Sequence, residues 1–306
     1  MAGRTLAHIE ICGAGALDAI HMALPDGFDL DEFVTRVLAE DLGKGGDVTS
    51  ATTIPADASF TAEMNARQAM VVAGIVIAAA FFRRLDPDVH IELLAEDGEW
   101  VEHGTTLMRL SGNARAMLAA ERPALNTLQH LSGIATLTRT YVEAIAGTGA
   151  VLLDIRKTIP GLRILAKFAT RMGGAQNHRM RLDDGVLIKD NHVAVCGGVA
   201  EAVRRAKAAN TGFQVQVEVD RIDQIEPALA AGADRLLLDN MDPSMLRSAV
   251  ALVAGRVPLE ASGGVTLENI RFLAETGVDF ISVGRITQSA PAVDIGLDYV
   301  LDTSGQ

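Results

Sequence analysis

Short apolar runs recur through the second half of the chain and alternate with segments whose apolar residues have helical spacing. The six runs occupy residues 151–153, 185–188, 214–217, 235–238, 258–261 and 280–283. Most of the intervals between them hold an alanine-rich segment with the period of an amphipathic helix, as in 199–209, 222–231 and 267–276. Alternation of strand and helix at this spacing predicts repeated βα units around a parallel sheet.

Polar or charged residues follow each of the six predicted strands. They are Asp154 to Thr158, Lys189 to His192, Glu218 to Asp220, Asp239 with Asn240, Ser262 to Gly264, and Gly284 with Arg285. Any one of these could be an ordinary polar loop. Together they favour an α/β fold with a TIM-like barrel, in which residues from all the strand ends converge at one face. An open doubly wound sheet would use only the strand ends at its switch point.

The first half of the chain mixes helical and strand-like segments. Acidic residues at 29–32 precede a helical pattern, 75–85 is a predicted helix, and 59–64, 69–72, 90–95 and 106–111 are predicted strands. This mixture predicts a separate α+β domain. We assign it residues 29–125 and the barrel residues 126–290. Residues 1–28 form an unassigned extension, and 291–306 a C-terminal segment that could return to the N-terminal domain.

Composition narrows the classes of function. The chain has 27 basic and 39 acidic residues, a net charge of −12 and only 4% aromatic residues. This balance argues against nucleic acid or a membrane surface as a partner. The longest apolar run, 69–82, falls short of the roughly 20 residues of a spanning helix. Two cysteines, Cys12 and Cys196, provide neither a disulfide framework nor a cysteine-rich zinc site, which suggests a cytoplasmic protein.

Positive charge is concentrated in one window of the sequence. Between Asp154 and His192, eight Lys or Arg oppose four acids, a local charge of +4. A basic pocket suggests a small polyanionic ligand, because arginine binds carboxylate and phosphate through two parallel hydrogen bonds. Lys167 and Arg171 can be interpreted as a solvated helix face. The cations at the strand ends fit that interpretation less well.

The ends of the later strands are acidic or contain glycine rather than a concentration of basic residues. Glu218 and Asp239 could hold Mg²⁺ together with substrate oxygens, stabilise a cationic centre, or pair with the nearby cations. The glycine-containing ends of the last two strands suggest a phosphate site, because loops after the final barrel strands often bind phosphate through backbone N–H groups. The residues alone therefore predict a metal-assisted barrel enzyme for a phosphorylated, anionic substrate.

Several longer motifs carry a resemblance to a known family. They are Glu-Arg-Pro-Ala-Leu-Asn at 121–126, Asp-Ile-Arg-Lys-Thr-Ile-Pro-Gly-Leu-Arg at 154–163, Gly-Gly-Ala-Gln-Asn-His-Arg at 173–179, Ile-Lys-Asp-Asn-His at 188–192 and Glu-Ala-Ser-Gly-Gly at 260–264. In this order, and within a match from about residue 30 to 300, they resemble the quinolinate phosphoribosyltransferase family. The resemblance implies an incomplete barrel preceded by a sandwich-like α+β domain.

The resemblance also implies a reaction. Quinolinate attacks C1 of phosphoribosyl pyrophosphate through its ring nitrogen, pyrophosphate leaves, and the 2-carboxylate is lost as CO₂. The product, nicotinate mononucleotide, belongs to de novo NAD synthesis. Mg²⁺ is the implied cofactor. A homodimer or an oligomer of dimers is the implied assembly, because Arg122 is implied to reach the neighbouring subunit's site.

The resemblance assigns roles to three groups of residues. Those implied to bind the carboxylates of quinolinate, its ring or the pyrophosphate are Arg156, Lys157, His178, Arg179 and Lys189. Glu218 and Asp239 are implied to bind Mg²⁺ and the ribose. Together with Lys157 they are also implied to act in catalysis. Those implied to bind the 5′-phosphate are Ser262, Gly263, Gly264, Val283 and Gly284.

Three positions depart from the family pattern, and three other functions stay open. Ile155 stands where Thr is usual, Arg285 where a small residue is common, and Gln288 where His is common. Arg285 could add a phosphate contact or face solvent. The alternative functions are a phosphoribosyltransferase for nicotinate or another aromatic acid, a Schiff-base aldolase using Lys157 or Lys189, and a catalytically silent metabolite-binding homologue.

Overall fold

The computed structural model describes residues 24–300 of the 306-residue chain and a short strand at residues 9–11. It divides into two compact units. The first comprises the chain up to Thr136 together with the chain from Ala290 onward, and the second comprises Leu137–Ser289. The chain passes from the first unit to the second inside one long helix, Ala114–Ala144. The expected domain boundary after residue 125 lies in the same helix.

The first unit is built on an antiparallel sheet. Its strands are β1 (Ile9–Ile11), β2 (Ser59–Ala66), β3 (Met70–Val71), β4 (His90–Leu93), β5 (Trp100–Val101), β6 (Thr106–Asn113) and β13 (Ile295–Val300). Its helices are α1 (Leu30–Leu42), α2 (Val48–Thr53), α3 (Ile75–Leu85) and α4 (Ala114–Ala144). The main sheet has the order β1-β4-β6-β2-β13, and β3 pairs separately with β5. The chain thus returns to this sheet in β13, which pairs with β2.

Helix α1 shows how local sequence sets an element of this unit. Asp29 precedes the helix and its carboxylate accepts the backbone N–H of Glu32 at 2.8 Å, which satisfies a donor that the first turn leaves free. Phe33 and Leu38 belong to its buried face. Gly43 follows the last turn with a φ of 53°, which ends the helix.

The second unit is a parallel sheet covered by helices. Its strands are β7 (Val151–Leu153), β8 (Val186–Ile188), β9 (Val215–Val219), β10 (Arg235–Asp239), β11 (Leu259–Ser262) and β12 (Phe280–Ser282). Its helices are α5 (Arg163–Met172), α6 (Asp190–Cys196), α7 (Val199–Ala208), α8 (Ile225–Ala230), α9 (Pro243–Val253), α10 (Ile270–Ala274) and α11 (Arg285–Gln288), with a 3₁₀ turn at Ile222–Gln224.

The strand order of this sheet defines an incomplete barrel. The order is β7-β12-β11-β10-β9-β8, and every ladder in it is parallel. Strands β7 and β8 are consecutive in the chain but form the two ends of the sheet, so the barrel is open between them. Near this opening Leu153 forms a single parallel bridge with Gln176. The predicted α/β fold, with an incomplete barrel and a separate α+β domain, is confirmed.

Alternation along each strand separates the hydrophobic core from the barrel interior. Val217 and Val219 of β9, Leu238 of β10 and Ala261 of β11 belong to one buried apolar cluster, which includes residues of the surrounding helices. Each fully buried Val or Leu contributes roughly 1.5–3 kcal/mol through removal of apolar surface from water. Because successive side chains of a strand point to opposite faces, the residues between them face the barrel interior.

The predicted helices differ from the observed ones mainly at their ends. The stretch predicted as a helix at 267–276 is helical only from Ile270 to Ala274. The side chain of Asn269 accepts the N–H of Thr266 and donates to the carbonyl of Gly264, which holds the preceding residues in a turn. Between residues 24 and 300, no helix has both the length and the apolar content needed to cross a membrane.

Gly133 of α4 provides a test of packing within the first unit. A Cβ on this residue would lie 2.1 Å from the carbonyl oxygen of Pro291 and 3.0 Å from Cα of Ala292. Intrinsic helix propensity favours Ala over Gly by about 1 kcal/mol. We nevertheless expect Gly133→Ala to lower the free energy of unfolding by roughly 1–3 kcal/mol, because overpacking against backbone forces a shift of the chain.

Urea denaturation of the two proteins measures this difference. Gly45→Ala is the matched control, because a Cβ there meets nothing within 4 Å. A Gly133→Ala protein as stable as the parent would contradict the close approach.

Candidate active site

A cavity of about 940 Å³ lies at the carboxyl ends of the parallel strands in the second unit. The predicted site residues that line it are Arg156, Lys157, His178, Arg179, Lys189, Glu218, Asp239, Ser262, Gly263, Gly264 and Gly284. Val283 does not line it. The Val283 side chain is buried in the apolar core, and its N–H donates to the carbonyl of Leu153 at 3.0 Å. Arg122 lies in the first unit, on α4, where it pairs with its neighbour Glu121 at 2.7 Å.

Strand alternation explains which side chains reach the cavity. Glu218 of β9, Asp239 of β10, Glu260 and Ser262 of β11, and Ser282 of β12 each directly follow a core residue of the same strand, and all of them line the cavity. Parallel strands end at the same edge of a sheet, so polar residues near those ends are brought together although they are far apart in sequence.

The cations on the β7 side of the cavity are held close to one another. Burial lowers the pKa of the Arg179 guanidinium, the neighbouring charge of Arg156 lowers it further, and Asp184 opposes both effects. Arg179 donates to the carbonyl of Gly185 at 2.9 Å. Within the described residues, the buried Nε of Arg156 has no hydrogen-bond partner. Two adjacent cations with an unused donor favour the binding of an anion.

The imidazole of His178 is oriented by contacts at both nitrogens. Its Nδ1 accepts the backbone N–H of Arg179 at 2.7 Å, which assigns a ring hydrogen to Nε2. That Nε2 lies 3.5 Å from Oε2 of Glu260. Glu260 is fully buried, and its Oε2 also lies 2.8 Å from Nη2 of Arg235 and from Nε2 of Gln216.

These neighbours control the ionisation of Glu260. Burial by itself raises the pKa of this carboxyl group. The nearby imidazole of His178, together with Arg235 and Gln216, outweighs burial and holds the pKa at about 2. Glu260 is therefore an anion at neutral pH, and it balances part of the positive charge beside the cavity.

The carboxylates of Glu218 and Asp239 differ in their partners. Glu218 forms an ion pair with Lys189, and Asp239 accepts a hydrogen bond from the side-chain amide of Asn240 at 2.6 Å. Between residues 24 and 300, no three His, Cys, Asp or Glu side chains are grouped to hold a metal ion. The two carboxylates fit Mg²⁺ that takes its other oxygen ligands from water and bound phosphates, rather than a closed protein cage.

Two glycines line the cavity at positions where a side chain would meet neighbouring atoms. Gly263 has a φ of 90°, and a Cβ there would lie 2.2 Å from Oδ1 of Asn240. A Cβ on Gly284 would lie 2.9 Å from Cδ1 of Ile155, the residue that stands where the family pattern has Thr. A side chain at Gly263 would therefore collide with Asn240, and one at Gly284 would press on the end of the Ile155 side chain.

Some cavity residues were not predicted from the sequence. Glu260 lines the cavity, and the alternation of β11 was the signal that could have identified it. Ser282 and Asn240 line it as well; both belong to predicted strand ends but had no assigned role. Arg285 and Gln288 line it as well and are also exposed. Arg285 thus faces both the cavity and solvent.

The interpretation of Lys167 as part of a solvated helix face is wrong. Its side chain is fully buried, and its Nζ lies 2.5 Å from Oδ1 of the equally buried Asp154. The helical pattern of α5 gave no sign of this ion pair, because its partner follows a strand on the other side of a loop. Arg171, on the same helix, is exposed as expected.

Comparison with known proteins identifies the family. Residues 47–132 match the model of the quinolinate phosphoribosyl transferase N-terminal domain, and residues 134–298 match that of its C-terminal domain. The chain belongs to the quinolinate phosphoribosyl transferase family. The resemblance inferred from the motifs is confirmed.

Individual members of this family are similar over nearly their whole length. A nicotinate-nucleotide pyrophosphorylase [carboxylating] of Mycobacterium leprae (strain TN) is 42% identical over 270 residues, which cover 87% of this chain and 95% of the relative. A chloroplastic nicotinate-nucleotide pyrophosphorylase [carboxylating] of Arabidopsis thaliana is 40% identical over 289 residues, covering 88% and 82%. The crystal structure of the Ehrlichia chaffeensis nicotinate-nucleotide pyrophosphorylase superposes with a TM-score of 0.86 at 39% identity, covering 90% of this chain and 100% of that one.

The lowered pKa of Glu260 generates a prediction about this family member's stability. The folded pKa of about 2 lies below the ordinary value of 4.5, so ionised Glu260 stabilises the folded state above pH 4.5. This stabilisation is lost as the pH falls towards 2. We expect the difference in unfolding free energy between the parent and Glu260→Gln to shrink from pH 5 to pH 3, within a total of roughly 3 kcal/mol.

Urea denaturation at a series of pH values measures that difference. Glu226→Gln is the control, because this exposed carboxylate pairs with Arg256 at the surface and should contribute much less. A difference for Glu260→Gln that stays constant with pH would contradict the assigned ionisation.

Proposed function

We propose that this family member transfers a phosphoribosyl group to quinolinate with decarboxylation. The ring nitrogen bonds to C1 of phosphoribosyl pyrophosphate while the bond from C1 to pyrophosphate breaks, and loss of CO₂ then gives nicotinate mononucleotide for NAD synthesis. One observation carries the proposal. A single cavity unites a group of cations, including Arg156 and Arg179, with the carboxylates of Glu218 and Asp239.

The cations of the cavity are suited to binding a dicarboxylate substrate. We assign Arg156, His178, Arg179 and Lys189 to the two carboxylates of quinolinate, and Lys157 to the ring or the pyrophosphate. The adjacent charges of Arg156 and Arg179 repel each other in the ligand-free protein. A bound carboxylate relieves this repulsion, and that relief contributes to the free energy of binding.

In the ligand-free protein Lys189 forms an ion pair with Glu218, which supports a role in which both residues change partners when substrate binds. A substrate carboxylate that takes Lys189 leaves the Glu218 carboxylate available to the ribose hydroxyls. Glu218 and Asp239 then stabilise the positive charge that develops at C1 as pyrophosphate departs. Carboxylates that are already in position are well suited to that role, because they need little reorganisation during the reaction.

The glycine-containing loops are suited to binding the 5′-phosphate. We assign Ser262, Gly263, Gly264 and Gly284 to it, and the crowding around Gly263 and Gly284 supports close backbone approach. The N–H of Val283 is already used by Leu153. Any role of Val283 would therefore come from its carbonyl or its packing.

Decarboxylation follows from the charge on the ring. Once the nitrogen carries the ribose it is cationic, and its positive charge stabilises the electron pair that the breaking bond to the carboxylate leaves on C2. CO₂ leaves and C2 takes up a proton. A separate acid–base pair is not required for this step.

The experiment that tests the function uses the purified protein with Mg²⁺, phosphoribosyl pyrophosphate and quinolinate. We expect nicotinate mononucleotide, followed by its ultraviolet absorbance, and one CO₂ for each product molecule. Nicotinate replaces quinolinate in a parallel assay. Faster turnover of nicotinate without CO₂ would indicate the alternative transferase, and binding without any product would indicate a silent homologue.

The roles of Asp239 in holding Mg²⁺ and in stabilising C1 can be tested together. Mg²⁺ bound with pyrophosphate would neutralise the charge of the leaving group. We expect Asp239→Asn to lower kcat at saturating substrates by about 10²-fold and to raise the Mg²⁺ concentration needed for half-maximal rate. A variant as fast as the parent, with the same Mg²⁺ dependence, would exclude both roles.

We also propose a cytoplasmic homodimer, or an oligomer of dimers, in which Arg122 completes the site of the partner subunit. Its side chain is largely exposed. Arg122→Ala and Lys189→Ala subunits are each expected to be inactive. After random subunit exchange, half of the dimers are mixed and each of these has one intact site of two, so the mixture should recover up to about a quarter of parental activity.

Activity assays before and after exchange measure the recovery. Mixing two batches of Arg122→Ala protein is the control and should restore nothing. Absence of recovery after verified exchange would contradict the shared site.

A further inference from the structure

The second unit contains an ion pair with no exposure to solvent. Asp154 follows β7 directly, and Lys167 lies on α5. Both side chains have 0% exposure, and the Nζ of Lys167 lies 2.5 Å from Oδ1 of Asp154. Neither residue lines the cavity. The function proposed above therefore leaves this pair without a role.

The two side chains converge on the backbone of one residue. Oδ1 of Asp154 accepts the N–H of His178 at 2.9 Å, and the Nζ of Lys167 donates to the carbonyl oxygen of His178 at 2.7 Å. The ion pair thus holds the donor and the acceptor of the same residue. No strand or helix holds residues 177–185, so these bonds replace the ladder that a regular element would supply.

The neighbouring polar groups complete the arrangement. Oδ2 of Asp154 accepts hydrogen bonds from Nδ2 of Asn177 at 2.5 Å and from Oγ1 of Thr170 at 2.8 Å. Asn177 also donates to the carbonyl of Lys167 at 2.9 Å. Both carboxylate oxygens and the ammonium group are therefore engaged, and each additional bond is made with the segment that leads into His178 or with α5.

Stability alone gives a weak reason for such a pair. Two charges removed from water lose their hydration, and apolar residues of similar size often stabilise a core as well or better. What apolar residues cannot do is bond to the N–H and carbonyl of His178. This is the residue whose side chain, with that of Arg179, lines the cavity.

We propose that Asp154 and Lys167 are positioning residues that hold the His178 backbone, so that the side chains of His178 and Arg179 face a bound carboxylate. The identity of that carboxylate as part of quinolinate rests on the proposed function. The fixed backbone orients both side chains before the ligand arrives. A displacement of about 1 Å in such a site can cost on the order of 10²-fold in rate.

The test uses the double variant Asp154→Leu/Lys167→Met, which removes both charges and both hydrogen bonds to the His178 backbone and leaves no unpaired ion in the core. The matched control is Glu201→Gln/Arg205→Met, which removes an exposed ion pair on α7 of the same unit. We expect the double variant to fold, with its KM for quinolinate raised about tenfold or more and its KM for phosphoribosyl pyrophosphate changed less than twofold. The control should match the parent in both constants.

A purely structural role predicts a different result. The melting temperature would fall while both KM values of the folded fraction stayed at the parental level, and that outcome would overturn the proposal. If the double variant does not fold, Thr170→Val removes one hydrogen bond to Asp154 with little change of volume. It should still raise the quinolinate KM selectively, and unchanged KM values there would also overturn the proposal.

Hydrogen exchange of the ligand-free protein separates this inference from the proposed function. We expect the amide of His178 to exchange at least tenfold faster in the double variant than in the parent and the control. If the parent protein does not turn over quinolinate, the proposed function is contradicted. The exchange measurement still tests the positioning of His178, because it needs no substrate. Equal exchange of His178 in the parent and the double variant would contradict the positioning itself.

Discussion

Neutralisation of buried charge is the constraint on which the site depends. The second unit concentrates cations around one cavity, and like charges repel most strongly where water is scarce. The fold counters this repulsion with carboxylates of its own. Glu260 lies against Arg235 inside the barrel, and Glu218 pairs with Lys189 at the strand ends. The carboxylates therefore balance part of the positive charge around the cavity.

Solvent exposure distinguishes two kinds of ion pair in this arrangement. The side chain of Lys189 is 41% exposed and that of its partner Glu218 is 10% exposed, so an incoming anion can compete for the lysine. Asp154 and Lys167 are fully enclosed, and no ligand can reach them. The two lysine–carboxylate pairs therefore differ in their dielectric environment and in their access to ligand, which fits the different roles proposed for them.

The opening of the barrel connects these features. Because β7 and β8 are the two ends of the sheet, the chain between them contains a segment without regular backbone pairing. Its N–H and carbonyl groups need partners, and buried side chains supply them at His178. Freed from the geometry of a strand, this segment can present His178 and Arg179 in succession to the cavity, whereas neighbouring residues of a strand would face opposite sides.

The sequence by itself predicted the six strands of the parallel sheet, several of the helices and the cavity-lining residues at the ends of those strands. These follow from local periodicity and from the rule that parallel strands end at one edge, and α3 at Ile75–Leu85 was predicted with its observed bounds. Tertiary structure alone decided that Lys167 is enclosed and that Glu260 faces the cavity with an ionised carboxyl group. Such properties depend on partners outside the element itself: Asp154 lies 13 residues from Lys167, and Gln216 lies 44 residues from Glu260. Burial and charge pairing are set by those distant contacts, which the spacing of residues along one element does not encode.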